Sequence, residues 1–386
     1  MPWKAMSVMD QRREFVRLAA SGVVSVAELC RRFGISRETG HLLLRRFGEA
    51  GEAGLVDRSR RPHESPRQTA AEMEARVLAV RAAHTAWGGR KIARRLADLG
   101  EVNVPAPSTV TEILRRHGRL DAAECERHRP FQRFERSRPN ELWQMDFKGH
   151  VAQQVGRCHP LTVLDDHSRY SVGLRACGDE TERTVREQLT RLFRHYGLPD
   201  AILADNGPPW GAAGHPEVPY TALGVWLLQL GTALHHGRPR HPQTQGKDER
   251  FHRTLDLELL QHNWFADLLA AQAAFDRWRV IYNEERPHQA LGMDVPAKHF
   301  QPSTRSFPET LPQPEYATGD VLRRVTPDGY VCFNGRKHKM SQAFGRHLVA
   351  LRPTQADGVW TVFFSRFGVA QIDLRDPTPL DQEPLA

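Results

Sequence analysis

The spacing of apolar positions changes character along the chain, and the first third is helical in texture. A periodic stretch runs from Asp10 to Ala20. SVAELCRRF at 25–33 opens on Ser25 with Glu28 three residues later, the spacing of a capping box. Gly34-Ile35-Ser36 predicts a tight turn, and Ser36 opens a third helix, SRETGHLLLRRFGEAG, with Leu42 and Leu44 turned inward and Arg37, Thr39, His41 and Arg45 outward. Helix, short glycine-containing turn, helix is the helix-turn-helix pattern, whose last helix enters the major groove. A polar, proline-rich stretch, VDRSRRPHESPRQ, precedes a second set. Thr69 and Glu72 repeat the capping-box spacing at its start, GGRKIARRLADLG follows, and STVTEILRRHG closes it with a basic last helix holding Arg115, Arg116 and His117. These patterns predict all-α modules at 1–58 and 66–120.

From Asn140 the texture becomes strand-like. ELWQMDFKGHV and HPLTVLDDHSRYSVGLRAC read as strands, TERTVREQLTRLFRHYG as a helix, DAILADNG as a short buried strand. A further helix (YTALGVWLLQLG), a strand (TALHHG) and a long helix from about Gln245 complete an α/β domain with a mixed sheet over 140–300. After a proline-rich linker, GYVCFNG, HLVALRP, GVWTVFFS and GVAQIDL are separated by Asp328-Gly329, Asn334-Gly335 and Asp357-Gly358, which predicts a small all-β barrel over 316–376. The fold class is therefore multidomain.

Charge sharpens this picture. Residues 1–140 carry 27 Lys and Arg against 17 Asp and Glu, and the remainder 27 against 29, so the whole excess of +8 lies in the first third. Arg dominates there, and its planar fork suits phosphates and guanine edges. A basic N-terminal third on a near-neutral body points to DNA-reading modules joined to something else. Arg90 and Lys91 join the candidate DNA contacts, and the linker at 121–139 is basic enough to follow a phosphate backbone or to serve as a solvated hinge. The five cysteines (Cys30, Cys125, Cys158, Cys177 and Cys332) form no C-x-x-C, which argues against a disulfide framework or zinc ribbon and fits a reducing cytosol. No run of about 18 uncharged apolar residues predicts a membrane span, and the first residues lack the apolar core of a signal peptide. A cytoplasmic, nucleoid-associated protein is expected.

Three acids stand out by context. Asp146 lies inside a strand-like run, where a charge is costly unless paired or ligated. Asp205 follows AILA at the carboxyl end of a strand, where open α/β sheets place ligands. Glu249 opens a polar helix among Lys247 and Arg250. Carboxylate oxygens suit Mg²⁺. Each acid alone has an ordinary structural explanation, and Asp165-Asp166 reads as a tight turn between strands.

Beside these residues stand motifs that resemble a known family. PNELWQMDFK at 139–148, VLDDHSRY at 163–170, ADNG at 204–207, HPQTQGK at 241–247, ERFHRTL at 249–255 and YNEERPHQAL at 282–291 resemble, in that order, bacterial insertion-sequence transposases of the DDE class, whose core is shared with retroviral integrases. The branch with two helix-turn-helix units before the core is the most similar. The resemblance implies an RNase H-like core in which Asp146, Asp205 and Glu249 hold two Mg²⁺ ions, with Mn²⁺ able to substitute. It implies cleavage at an element's terminal inverted repeats and joining of the 3′-hydroxyl ends to target DNA, by a protein acting on paired ends as at least a dimer.

Two features depart from the pattern. Forty-three residues separate Asp205 from Glu249, more than the roughly thirty-five that the resemblance implies, the excess falling in GPPWGAAGHPEVPYTA. Many relatives also place Lys or Arg seven residues after the Glu, where this chain has Asp256. Arg253, one helical turn after Glu249, then becomes a candidate DNA contact beside Lys247 and Arg250. The competing readings are a DNA-binding protein that keeps the fold but no longer cuts, and a nuclease that hydrolyses without joining.

Overall fold

The computed structural model describes residues 7–58, 68–120, 136–211, 220–237 and 246–375. The chain forms two compact units, residues 1–68 and 69–386.

In the first unit, α1 (Val8–Ala20), α2 (Val26–Arg32) and α3 (Arg37–Ala50) start on the serine caps Ser7, Ser25 and Ser36. Ser25 accepts from the Glu28 N–H, but Glu28 pairs with Arg31 and Arg32 instead of reaching back to the cap. Phe15, Val16, Leu29, Cys30, Leu43 and Leu55 form the core. The inward face of α3 differs from the predicted one by one position: Leu43 is the buried leucine, while Leu42 and Leu44 are half-buried. Arg37, Thr39, His41 and Arg45 are exposed as anticipated.

The second unit opens with α4 (Ala71–Ala83), α5 (Gly89–Asp98) and α6 (Pro107–Arg116), packed around Val77, Trp87, Ile92, Leu96, Val110 and Ile113. Thr69 does not cap α4, which starts after Ala70 with no side-chain cap. Strands β1 (Trp143–Phe147), β2 (Val151–Ala152), β3 (Arg157–Asp165), β4 (Ser171–Cys177), β5 (Ala201–Ala204) and β6 (Ala233–His236) form a mixed sheet in the order β2-β3-β1-β5-β6, with β4 on β3. β1 is antiparallel to β3 and parallel to β5. Helices α7 (Glu182–Tyr196) and α8 (Ala222–Gln229) cover one face; α9 (Gly246–Glu258) and α10 (Leu268–Val280) cover the other. Side chains alternate across a strand. Trp143 and Met145 therefore enter the α7 side, and Gln144 and Asp146 face α9.

The tail holds β7 (Val321–Arg324), β8 (Tyr330–Phe333), β9 (Arg336–Lys339), β10 (Leu348–Pro353), β11 (Val359–Phe364) and β12 (Phe367–Asp373). The predicted barrel is not what forms. A four-stranded antiparallel sheet, β12-β11-β10-β7, and a separate β8-β9 hairpin share a core that is completed by Val225 and Leu228 of α8. The tail closes its core against a neighbouring helix rather than on itself. The proline-rich stretch before it is strapped down by Arg305, whose guanidinium donates to the Pro199, Leu230 and Gly231 carbonyls.

Candidate active site

Gln144 on β1 lies opposite Leu203 on β5. Two residues further, the same parallel register sets Asp146 beside Asp205, which directly follows the last residue of β5. Burial pushes the Asp146 carboxyl up to about 6, and the charge of Asp205 pushes it the same way; the Phe147 N–H and the Lys148 ammonium pull it back. Asp205 is also raised by burial, against a hydrogen bond from the Gly207 N–H at 3.1 Å. Glu180, just ahead of α7, adds negative charge to both. Two partly buried carboxylates thus face each other where a cation would relieve their repulsion.

Glu249 lies on the first turn of α9 and is exposed. Among the described residues no three His, Cys, Asp or Glu side chains converge to hold a metal ion, Asp146, Asp205 and Glu249 included. The buried acid of that turn is its neighbour, Asp248, 1% exposed and, among the described residues, without a hydrogen-bond partner for either oxygen.

His252, one turn on from Asp248 and Glu249, has no place among the residues that the sequence singles out. Thr162, the β3 partner of Asp146, donates its hydroxyl to the Asp146 carbonyl at 2.9 Å and must accept from His252 Nε2 at 2.8 Å. His252 Nδ1 is thereby left as an acceptor 4.0 Å from Asp146 Oδ2. Burial drives the His252 pKa down to about 4, which keeps the ring neutral. Position 252 carries no readable signal in the sequence; only the i, i+3 spacing from Glu249 suggests a shared helix face.

The turn reading of Asp165-Asp166 agrees with the bonds. Asp165 accepts from the Asn140 N–H and from the Ser168 N–H and hydroxyl. Asp166 accepts from Gln144 and the Arg136 N–H and pairs with Lys247 at 2.5 Å.

Several family descriptions match along the chain. "Integrase core domain" descriptions match residues 136–242 and 230–296. The chain carries an integrase core. A helix-turn-helix domain matches 11–63, a homeodomain-like domain 39–114, and the C-terminal domain of IS481 family transposases 320–380. The resemblance to insertion-sequence transposases therefore stands. The chain is 31% identical to an insertion element IS407 protein of Burkholderia multivorans over 42% of its length and 55% of that protein, and 31% identical to an insertion element IS476 protein of Xanthomonas euvesicatoria over 42% and 44%. It thus spans about half the length of these relatives. A chain of the simian T-cell lymphotropic virus intasome is similar at 16% identity, covering 77% of this chain and 94% of that one, with a TM-score of 0.37.

Around the integrase core, the basic residues divide. Arg90, Arg115 and Arg116 are exposed, the last two beside Glu112 and Glu74. Lys91 instead turns into the protein, near Arg286 and Glu258, and burial lowers its pKa to about 7. It faces the core and not solvent, because its helix docks there: Arg94 and Arg95 pair with Asp294 at 2.7 Å and Glu285 at 2.6 Å. Arg250 and Arg253 are exposed on α9. The excess loop before α8 falls partly outside the described residues, as do most of the basic linker and HPQTQ ahead of α9. Among the described residues no helix is long and apolar enough to cross a membrane.

Proposed function

We propose that the chain is a DNA transposase that binds an element's terminal inverted repeats, cleaves there, and joins the freed 3′-hydroxyl ends to target DNA as at least a dimer. The carrying observation is the pairing of Asp146 and Asp205 at the ends of adjacent parallel strands, both raised by burial. The integrase core and the similarity to insertion element proteins support the same reading.

Two of the three candidate carboxylates suit a divalent cation. Asp146 and Asp205 set hard oxygens on neighbouring strands in a partly buried, anionic setting, which is the chemistry Mg²⁺ takes. Asp146 and Asp205, with Glu249 turned inward from α9, would hold two Mg²⁺ or Mn²⁺ ions. Bound there, such ions activate an attacking oxygen and stabilise a leaving one at phosphorus. Both reactions are in-line displacements, first by water and then by the 3′-hydroxyl, so no Ser or Cys nucleophile is required. Neutral His252, bonded to Thr162, fixes the β1-β3 pairing at which Asp146 sits. Modules 1–58 and 66–120 would select the ends through Arg37, Thr39, His41, Arg45, Arg90, Arg115 and Arg116, while 140–300 performs the chemistry.

The exposure of Glu249 on α9 favours a second reading, a DNA-binding protein that no longer cuts. Asp205→Asn separates the two. Strand joining in Mg²⁺ should fall below detection while end binding stays within a few-fold. Undiminished joining by this variant refutes the site, and a wild-type chain that binds ends but never cleaves supports the second reading.

A further inference from the structure

Lys148 directly follows β1, two residues beyond Asp146, and its backbone N–H is tied to the Pro160 carbonyl at 3.0 Å. Its ammonium lies 3.1 Å from Asp256 Oδ2, with side-chain exposures of 24% and 33%. Asp256 and His252 are four residues apart on α9 and so share a helix face. The ammonium's charge reaches both Asp146 and His252. Asp146, Asp205 and Glu180 make the surroundings of the site anionic. A DNA strand entering it carries a negative charge at each phosphate and meets that repulsion. Lys148 is a cation placed beside Asp146. A partly exposed ion pair contributes only modest stability, so Asp256 holds the ammonium in place without a large penalty for giving it up.

We propose that Lys148, braced by Asp256, receives a backbone phosphate of the DNA strand at the mouth of the Asp146–Asp205 site. The role rests on the transposase reading for its biological meaning but is testable by binding alone. A phosphate accepts an ammonium as a point charge without base preference, so Lys148 contributes to affinity at every sequence and not to the choice of ends. Asp256 acts through Lys148: it selects one rotamer of a flexible side chain.

The test uses the full chain and a short duplex bearing the DNA that flanks the gene, with binding measured in Ca²⁺ across a salt series. Removing one cation that neutralises a phosphate should reduce the slope of log affinity against log salt by about 0.9. Lys148→Ala should show that reduction and bind several-fold more weakly at moderate salt. Lys148→Arg should keep the wild-type slope, and Asp256→Asn should keep it with at most a small loss of affinity. A wild-type slope in Lys148→Ala overturns the proposal. So does a loss in Asp256→Asn equal to that in Lys148→Ala, since the pair would then be only a structural brace. Joining in Mg²⁺ is assayed in parallel: its absence in wild type defeats the transposase reading, while the slopes still decide the role of Lys148.

Discussion

Asp248 on α9 lies close enough to Asp146 on β1 for that neighbour's charge to push its carboxyl upward, yet neither Asp248 oxygen meets a hydrogen-bond donor among the described residues. Burial is the larger cause of the shift, and Asp166 adds to it. Burying an acid without a hydrogen-bond partner costs free energy, whereas burying an apolar side chain of similar size gains it. Even a buried ion pair, when replaced by well-packed apolar groups of similar volume, is often neutral or stabilising by about 1–4 kcal/mol, and Asp248 gives up no hydrogen-bond partner among the described residues.

Asp248→Val should therefore stabilise the second unit by about 1–3 kcal/mol in the absence of divalent ions. Thermal melting in EDTA reads this as a rise of several degrees. A lower melting temperature in the variant would mean that Asp248 has a compensating partner in solution, and the buried acid would then carry no net cost.

Asp146 gives the stability of the core a pH dependence. A carboxyl whose folded pKa exceeds its unfolded value holds its proton more tightly in the fold. Its burial is tolerated below the usual value of 3.8, and its ionisation progressively weakens the fold as pH rises towards about 6. The full shift corresponds to about 3 kcal/mol, and partial solvent screening of the side chain reduces this to roughly 2. In EDTA, the advantage of Asp146→Asn over wild type should be absent near pH 4 and grow to its maximum by pH 7. Mg²⁺ should shrink that advantage, since it stabilises only the wild-type carboxylate. A melting difference that is flat with pH would show that Asp146 titrates normally.

Much of this site was legible because its parts are local. A strand-end Asp before Asn-Gly and the serine caps at Ser25 and Ser36 each depend on a few adjacent residues. What escaped depends on distant partners. Lys91 read as a DNA contact because it sits in a basic run; Asp294 and Glu285, which dock that helix, are about two hundred residues away in sequence. Strands β7 and β9, VLRR and RKHK, read as polar because their side chains are largely exposed and their pairing is set by the backbone. The inward turn of Asp248 in place of Glu249 depends on the rotation of α9 over the sheet, which a polar helix start does not encode. Closure of the tail also turned on a partner, since its core needs Val225 and Leu228 of α8.

Two glycines in α3 test the packing of the first unit in opposite directions. A Cβ at Gly40 would collide with Cys30 Sγ and come within 3.0 Å of Phe15 Cζ, both in the core between α1 and α2. Neither neighbour can withdraw: Phe15 is 1% and Cys30 2% exposed. Overpacking of this kind costs about 1–3 kcal/mol. At Gly48 a Cβ would meet nothing within 4 Å. There alanine should only remove the helix penalty of glycine, a gain of up to about 1 kcal/mol. Calorimetry of the full chain should show Gly40→Ala lowering, and Gly48→Ala raising, the transition of the first unit, with the second unit's transition unmoved. Equal behaviour of the two variants would refute the close approach of α3 to Cys30 on which the helix-turn-helix geometry depends.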